Sequence, residues 1–180
     1  WDVPGGVQFH IRDFALELLK RGHDVKVLTP AKDTTDLPEW ITAVGSSVAI
    51  PFNGSVARLS FSPIANSRTK KWLEEGDFDV LHVHEPEVPS ISMLALRAAT
   101  VPVNGTFHAA LDYSFSRSVS SPALDPLLEK LAARIAVSSE ARRTLVEHHG
   151  GDAVIIPNGV DTHFFAQAEP KEEWAATDDR

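Results

Sequence analysis

Pro4-Gly5-Gly6 runs straight into a stretch whose apolar residues recur at helical spacing. Glycines let a backbone come close to a phosphate, and the unpaired N–H groups of a first helical turn attract an anion. The same tripeptide also reads as a tight turn that merely needs glycine, and both readings stay open. His82-x-His84-Glu85 has the spacing of metal ligands. Strand alternation puts both imidazoles on one face, but no third ligand is evident, so no metal site is expected. The plainer reading is a strand end whose histidines bond neighbours, and Glu85, just past the strand, is a better binding candidate than either. His108 ends another strand-like run. An imidazole there can take a proton from, or hydrogen-bond, a substrate hydroxyl; capping or packing is the alternative. Ser138-Ser139-Glu140 lacks the glycines of a nucleophile elbow and reads as a helix cap. Arg58, Arg68, Lys70, Lys71 and Trp72 make a basic stretch. It is either a surface for anionic lipid or the solvated face of a core-packed helix.

These residues need elements to hold them. Val7, Ile11, Phe14, Ala15 and Leu18 predict a helix over 7–21, stopped by Gly22. Strands are expected at 25–29, 48–51, 79–84, 101–107, 135–138 and 153–156. Helices are expected at 63–75 (with Ser62 as cap and Pro63 in its first turn), 90–99, 124–133 and 139–149. On the wheel of the 63–75 helix, Ile64, Ala65, Trp72 and Leu73 share one half, and Lys70 and Lys71 fall in the other. This alternation predicts an α/β fold, a Rossmann-like doubly wound parallel sheet with helices on both faces. Ligands then bind beyond the carboxyl ends of the strands, which selects 2–6, 84–89, 107–112 and 157–161. In such folds the glycine turn follows the first, central strand, so about ten further residues, that strand among them, are expected upstream. Residues 1–165 read as one domain. Residues 166–180, rich in Glu and Asp, read as a charged linker toward a further domain.

The bulk composition sets limits. The chain has 180 residues, 43% hydrophobic and 23% charged, as in a soluble globular protein. It has no cysteine, which excludes disulfides, thiolate metal sites and a cysteine nucleophile. Its net charge of −8 argues against nucleic acid as a partner. Yet no acidic residue lies between Glu39 and Glu74, the window that holds Arg58, Arg68, Lys70 and Lys71. One locally basic surface on an acidic protein suggests a specific anionic partner.

The segments that fold logic selects also match a family. Asp2-Val-Pro-Gly-Gly-Val-Gln8, Phe78-Asp-Val-Leu-His-Val-His-Glu-Pro86, Thr106-Phe-His108, Arg134-Ile-Ala-Val-Ser138 and Ile156-Pro-Asn-Gly-Val-Asp161 resemble the N-terminal domain of retaining GT-B glycosyltransferases of family 4 (GT4). Pro51-Phe-Asn-Gly-Ser-Val-Ala-Arg58 and Lys70-Lys-Trp72 resemble, more narrowly, the actinobacterial branch that mannosylates phosphatidyl-myo-inositol. The resemblance implies a mannosyltransferase with a GDP-mannose donor, no bound prosthetic group and any Mg2+ taken from solution. It implies a phosphatidylinositol acceptor, with the protein peripheral on the cytoplasmic, inner face of the plasma membrane. Gly5 and Gly6 would lie by the donor diphosphate. Asp2, Gln8, Asn53, Ser55 and Arg58 would bind the acceptor, with His108 catalytic, and Arg68, Lys70 and Lys71 would meet anionic lipid. A C-terminal domain of the same protein would hold most of the nucleotide sugar, so this part alone is expected to be inactive. The chain departs from the family pattern at Ala109-Ala-Leu-Asp-Tyr113, at Ser60 and Ser67, and at Asn104-Gly105, which interrupts a normally aliphatic strand. Two alternatives remain: a family 4 enzyme with a soluble acceptor such as an inositol phosphate or a sugar, and a non-catalytic binding module.

Overall fold

The structure is a computed structural model that describes residues 1, 4–32, 36–52, 55–108, 124–167 and 169; within 48–52 and 55–59 it describes the backbone alone. In chain order it runs α1 (Gly6–Lys20), β1 (Val27–Thr29), β2 (Ile41–Ala43), β3 (Val48–Phe52) and β4 (Ser55–Leu59). Then come α2 (Pro63–Glu75), β5 (Leu81–His84), α3 (Ile91–Ala98) and β6 (Val103–Phe107). The last elements are α4 (Asp125–Leu128), β7 (Leu131–Ala136), α5 (Ser139–His149), β8 (Val154–Ile155) and α6 (Thr162–Ala166).

Local chemistry sets the helix ends. Gly22 takes φ +86°, its N–H bonds Leu19 O at 3.0 Å, and His23 N–H bonds Leu18 O at 3.2 Å, the paired closure of a glycine-terminated helix. Ser62 Oγ accepts Ala65 N–H at 3.1 Å at the start of α2, and Ser138 Oγ accepts Ala141 N–H at 3.1 Å at the start of α5. Each cap contributes about 1 kcal/mol. Ser138 is therefore a cap and not a catalytic serine turn.

β5, β6, β7 and β8 form one parallel sheet in that order, with Leu81 opposite Val103 and His84 opposite Thr106. α3 packs on β5 and α2, while α5 packs on β6, β7 and β8. Leu81, Val83, Leu96, Val103, Phe107, Leu128 and Leu145 make the core.

Three expectations change. β1 does not join this sheet; it pairs in parallel with β2, a strand the sequence did not reveal, with Val27 opposite Ile41. The strand expected at 48–51 pairs with β4, a strand the sequence did not reveal, in an antiparallel hairpin and not in a parallel sheet. The helix expected at 124–133 stops at Leu128, and β7 starts at Leu131 instead of 135. Leu-Ala-Ala-Arg favours a helix by propensity, but pairing with β6 and β8 overrides it. Gly105 supplies part of the reason. A Cβ there would lie 2.8 Å from Leu131 Cδ1, so the glycine leaves room for Leu131 to lie across β6.

The apolar stripe of α1 is less buried than its periodicity predicts: only Ala15 is buried, and Phe14 is 40% exposed. Val7, Ile11, Phe14, Ala15 and Leu18 instead line a groove of about 1130 Å³, together with residues 25–30 and 81–85. Among the described residues β1 and β5 are each paired on one side only. The groove runs along both.

Candidate functional site

The site is built at the carboxyl ends of β5 and β6. Along β5, Leu81 and Val83 enter the core, while His82 and His84 share the other face, their rings 4.7 Å apart and 14° from parallel. That face meets α1. The His10 ring lies 5.6 Å from that of His84 and 5.1 Å from that of His108. Phe14 is 6.0 Å from His10 and 5.7 Å from His82, forming the apolar side of the cluster. His84 Nδ1 and His108 Nε2 share a hydrogen bond at 2.9 Å, and His82 Nε2 lies 2.7 Å from Thr106 Oγ1.

Crowding keeps these imidazoles neutral. Burial, followed by the charge His10 would carry, pushes His82 down to about 4. His108 is likewise pushed down to about 4, by burial and then by His10 and His82. His84 falls well below its ordinary value, through burial and then through His82, His108 and His10. His10 is lowered by burial, with Asp13 opposing.

Glu85 has φ +51°, a left-handed conformation uncommon for a residue with a Cβ. Its N–H bonds Thr106 O at 2.9 Å, and its Oε1 accepts the His108 N–H at 2.6 Å. The sequence marks Glu85 as a binding candidate; the structure makes it the backbone anchor of His108. Glu87 beside it is buried, and its carboxyl is pushed well above the usual carboxylate range. Burial is the main cause, followed by the charge of Glu85 and a hydrogen bond to it.

Gly5 has φ −170°, open to any residue, and Gly6 is the first residue of α1. Neither backbone conformation needs glycine. A Cβ on Gly5 would collide with the Gln8 side chain, whereas one on Gly6 would meet nothing within 4 Å. The first turn of α1 has no acidic residue and no side-chain cap bond. Gly5, Gly6, His84 and Glu85 line the same groove. His10 stands about 6 Å along the axis from Gly6, and its ring lies 5.1 Å from that of His108.

The other candidates spread out. Gln8 lies in the first turn of α1, against Gly5. Ser55 and Arg58 fall in β4, described by backbone alone, and Asp2, Asn53, 109–113 and 170–180 lie outside the described residues. In α2, Ala65 and Thr69 are buried and Trp72 packs on Phe78 at 4.4 Å, while Ile64, assigned to the apolar half of the wheel, is 65% exposed. Arg68 Nη1 bonds Val44 O at 3.0 Å, Lys71 lies 3.7 Å from Glu75 Oε1, and Lys70 is exposed. His10 is the residue that sequence reasoning missed. Its signal was its place one turn before Phe14, at the edge of the apolar stripe.

A parallel α/β sheet with histidines gathered at its strand ends, beside a glycine-opened helix, is a Rossmann-like arrangement with its candidate site where such folds bind ligands. The model of glycosyltransferase family 4 matches residues 4–164, and the chain belongs to that family. It is 52% identical over 168 residues to a phosphatidyl-myo-inositol mannosyltransferase of Mycolicibacterium smegmatis, covering 93% of this chain and 44% of that protein. It is 35% identical to the protein of that name from Propionibacterium freudenreichii, covering 95% and 47%. A D-inositol 3-phosphate glycosyltransferase of M. smegmatis is 27% identical, covering 89% and 42%. The chain thus spans under half the length of these relatives. Among the described residues no helix is long and apolar enough to cross a membrane.

Proposed function

We propose that this chain is the acceptor-binding half of a retaining glycosyltransferase that moves mannose from GDP-mannose to the inositol ring of phosphatidyl-myo-inositol. The observation that carries the reading is the meeting of the strand-end pair His84–His108 with the glycine-opened helix α1, whose His10 ring lies 5.1 Å from that of His108 and whose Gly6 faces open space. The amide donors and dipole of α1 take the donor diphosphate there, stabilising the charge that develops as it leaves. His84 orients His108 through Nε2, which leaves Nδ1 for an acceptor hydroxyl. Asp2, Gln8, Asn53, Ser55 and Arg58 bind the inositol phosphate. A C-terminal domain supplies the rest of the nucleotide site, and closure of the two halves excludes water. Lys70 and Lys71, with the exposed Phe61 and Ile64 of the same segment, rest on anionic lipid at the inner face of the plasma membrane. The names of the relatives support this assignment.

The test is His108→Ala in the whole protein. It should lower kcat/KM by about 10²–10⁴-fold, the contribution of a positioned acid, base or donor, and leave binding to acidic vesicles unchanged. Unchanged turnover, or an equal loss of vesicle binding, would overturn the reading. One observation favours a soluble acceptor instead: Arg68 is bonded to Val44 and Lys71 pairs with Glu75, so two of the three basic side chains already have partners within the protein. Indifference to acidic vesicles would select that alternative.

A further inference from the structure

We propose that Glu87 is a positioning residue for the transfer: it shares one proton with Glu85, and through Glu85 it fixes the backbone of His108. The inference rests on the reading of His108 as the group that meets the acceptor hydroxyl. Glu87 is 3% exposed, in the turn between β5 and α3. A side chain able to carry charge is seldom buried so far without a partner. Here the partner is a second acid: the Glu87 carboxyl hydrogen-bonds Glu85 and its own backbone N–H. Each of the two carboxyls also keeps a buried oxygen, Oε2, with no partner among the described residues. Ionised carboxylates only accept, so two of them cannot satisfy each other. One proton changes this, because a protonated carboxyl donates. That proton sits on Glu87. Glu85 is half-buried and its Oε1 already accepts the His108 N–H at 2.6 Å, which favours its charged form, whereas deep burial favours the neutral form of Glu87.

The turn holds the pair in place. Glu85 N–H bonds Thr106 O at 2.9 Å, Val88 N–H returns to Glu85 O at 3.2 Å, and Pro86 between the two acids is fully buried. The backbone therefore fixes where both side chains start, and the proton joins their ends. Losing the proton puts two negative charges side by side in a buried turn. The carboxylate free to move is Glu85, the less buried one, and its departure releases the His108 N–H. The groups around the turn do not offset that charge. From the strand ends the titratable side chains are His84 and His108, and from α1 it is His10; burial lowers all three. From α3, which packs on β5, the first turn holds no charged residue and Arg97 stands in the last turn.

The experiment uses the whole protein with GDP-mannose and phosphatidylinositol vesicles. Glu87→Ala removes the proton and its carrier, so kcat/KM should fall by up to ~10²-fold, the cost of a displacement of about 1 Å at a reacting group. Glu87→Gln donates an N–H to Glu85 at every pH and should recover most of that loss. The infrared difference between the parent and Glu87→Gln at neutral pH should contain the carbonyl band of a protonated carboxyl. As pH rises, kcat/KM of the parent should fall where this band fades, and Glu87→Gln should not follow it. Absence of the band, a band that fades with no change in kcat/KM, or a Gln variant no better than the Ala variant overturns the proposal. If Glu87→Ala does not fold, the band and the pH profile of Glu87→Gln decide in the same way. His108→Ala is measured beside them. If it loses turnover while Glu87→Ala keeps the parental value, the acid pair alone is refuted. Parental turnover in His108→Ala refutes the reading of His108, and the positioning role with it.

Discussion

Replacing Glu85 separates two effects that the structure places on one residue. Its Oε1 accepts the His108 N–H at 2.6 Å in a partly buried setting. A hydrogen bond to a charged group contributes about 1.5–3 kcal/mol. Glu85→Ala loses that bond but keeps the backbone at φ +51°, where a residue with a Cβ stores about 1–3 kcal/mol of strain. Glu85→Gly loses the bond and the strain together. The glycine variant should therefore be more stable than the alanine variant by about 1 kcal/mol, although it removes more atoms. Glu85→Gln keeps an acceptor oxygen and should also exceed alanine. Urea denaturation of the whole protein at neutral pH reads these differences. Turnover should follow a different order. Both the alanine and the glycine variant free the His108 backbone, and a displacement of about 1 Å costs up to ~10²-fold. Their kcat/KM values should fall together despite their unequal stabilities. Glycine no more stable than alanine would mean that the positive φ stores no strain. Parental turnover in Glu85→Ala would mean that this carboxylate does not position His108.

Two further outcomes follow from the same geometry. Lys70→Gln with Lys71→Gln should weaken binding to acidic vesicles by about 10–30-fold, from about 1 kcal/mol per basic side chain near lipid. The effect should shrink as salt contracts the Debye length, and equal cosedimentation at low salt refutes the docking helix. Arg68 is left intact because its bond to Val44 O ties α2 to the loop after β2. Glu87 supplies a pH test. Its folded pKa is raised above 4.5, so its stabilising share is full below 4.5 and is lost as pH rises toward the folded value. Glu87→Gln should therefore gain stability over the parent between pH 4.5 and 7.5. Parallel stability curves would mean that Glu87 is already ionised in the fold.

Legibility in the sequence followed the range of the forces involved. Ser62, Ser138 and Gly22 act within four residues of themselves, and each cap or stop is where the sequence placed it. The alternation His82, Val83, His84 is equally local and set the two faces of β5 correctly. What pairing decides was hidden. Leu131–Arg134 carries helix-favouring residues, yet becomes strand because β6 and β8 flank it and Gly105 makes room. β2 is three residues long, too short for any periodic signal, and exists by pairing with β1. The histidine cluster shows the same limit. His82, His84 and His108 drew attention by their strand-end positions, but the His10 ring beside His84 comes from α1, at a separation that no spacing rule covers.

The arrangement divides two tasks that would otherwise interfere. On the proposed reading the cleft must hold a diphosphate at one end and a hydroxyl at the other. A positive charge near the hydroxyl would draw the diphosphate toward the wrong end. Burial removes that competition, since His82 and His108 are pushed down to about 4 and carry no charge at neutral pH. The positive pole is then the N-terminus of α1, equivalent to about half an elementary charge, with no acidic side chain in its first turn to cancel it. His108 offers direction without charge, and Gly6 offers charge without a side chain.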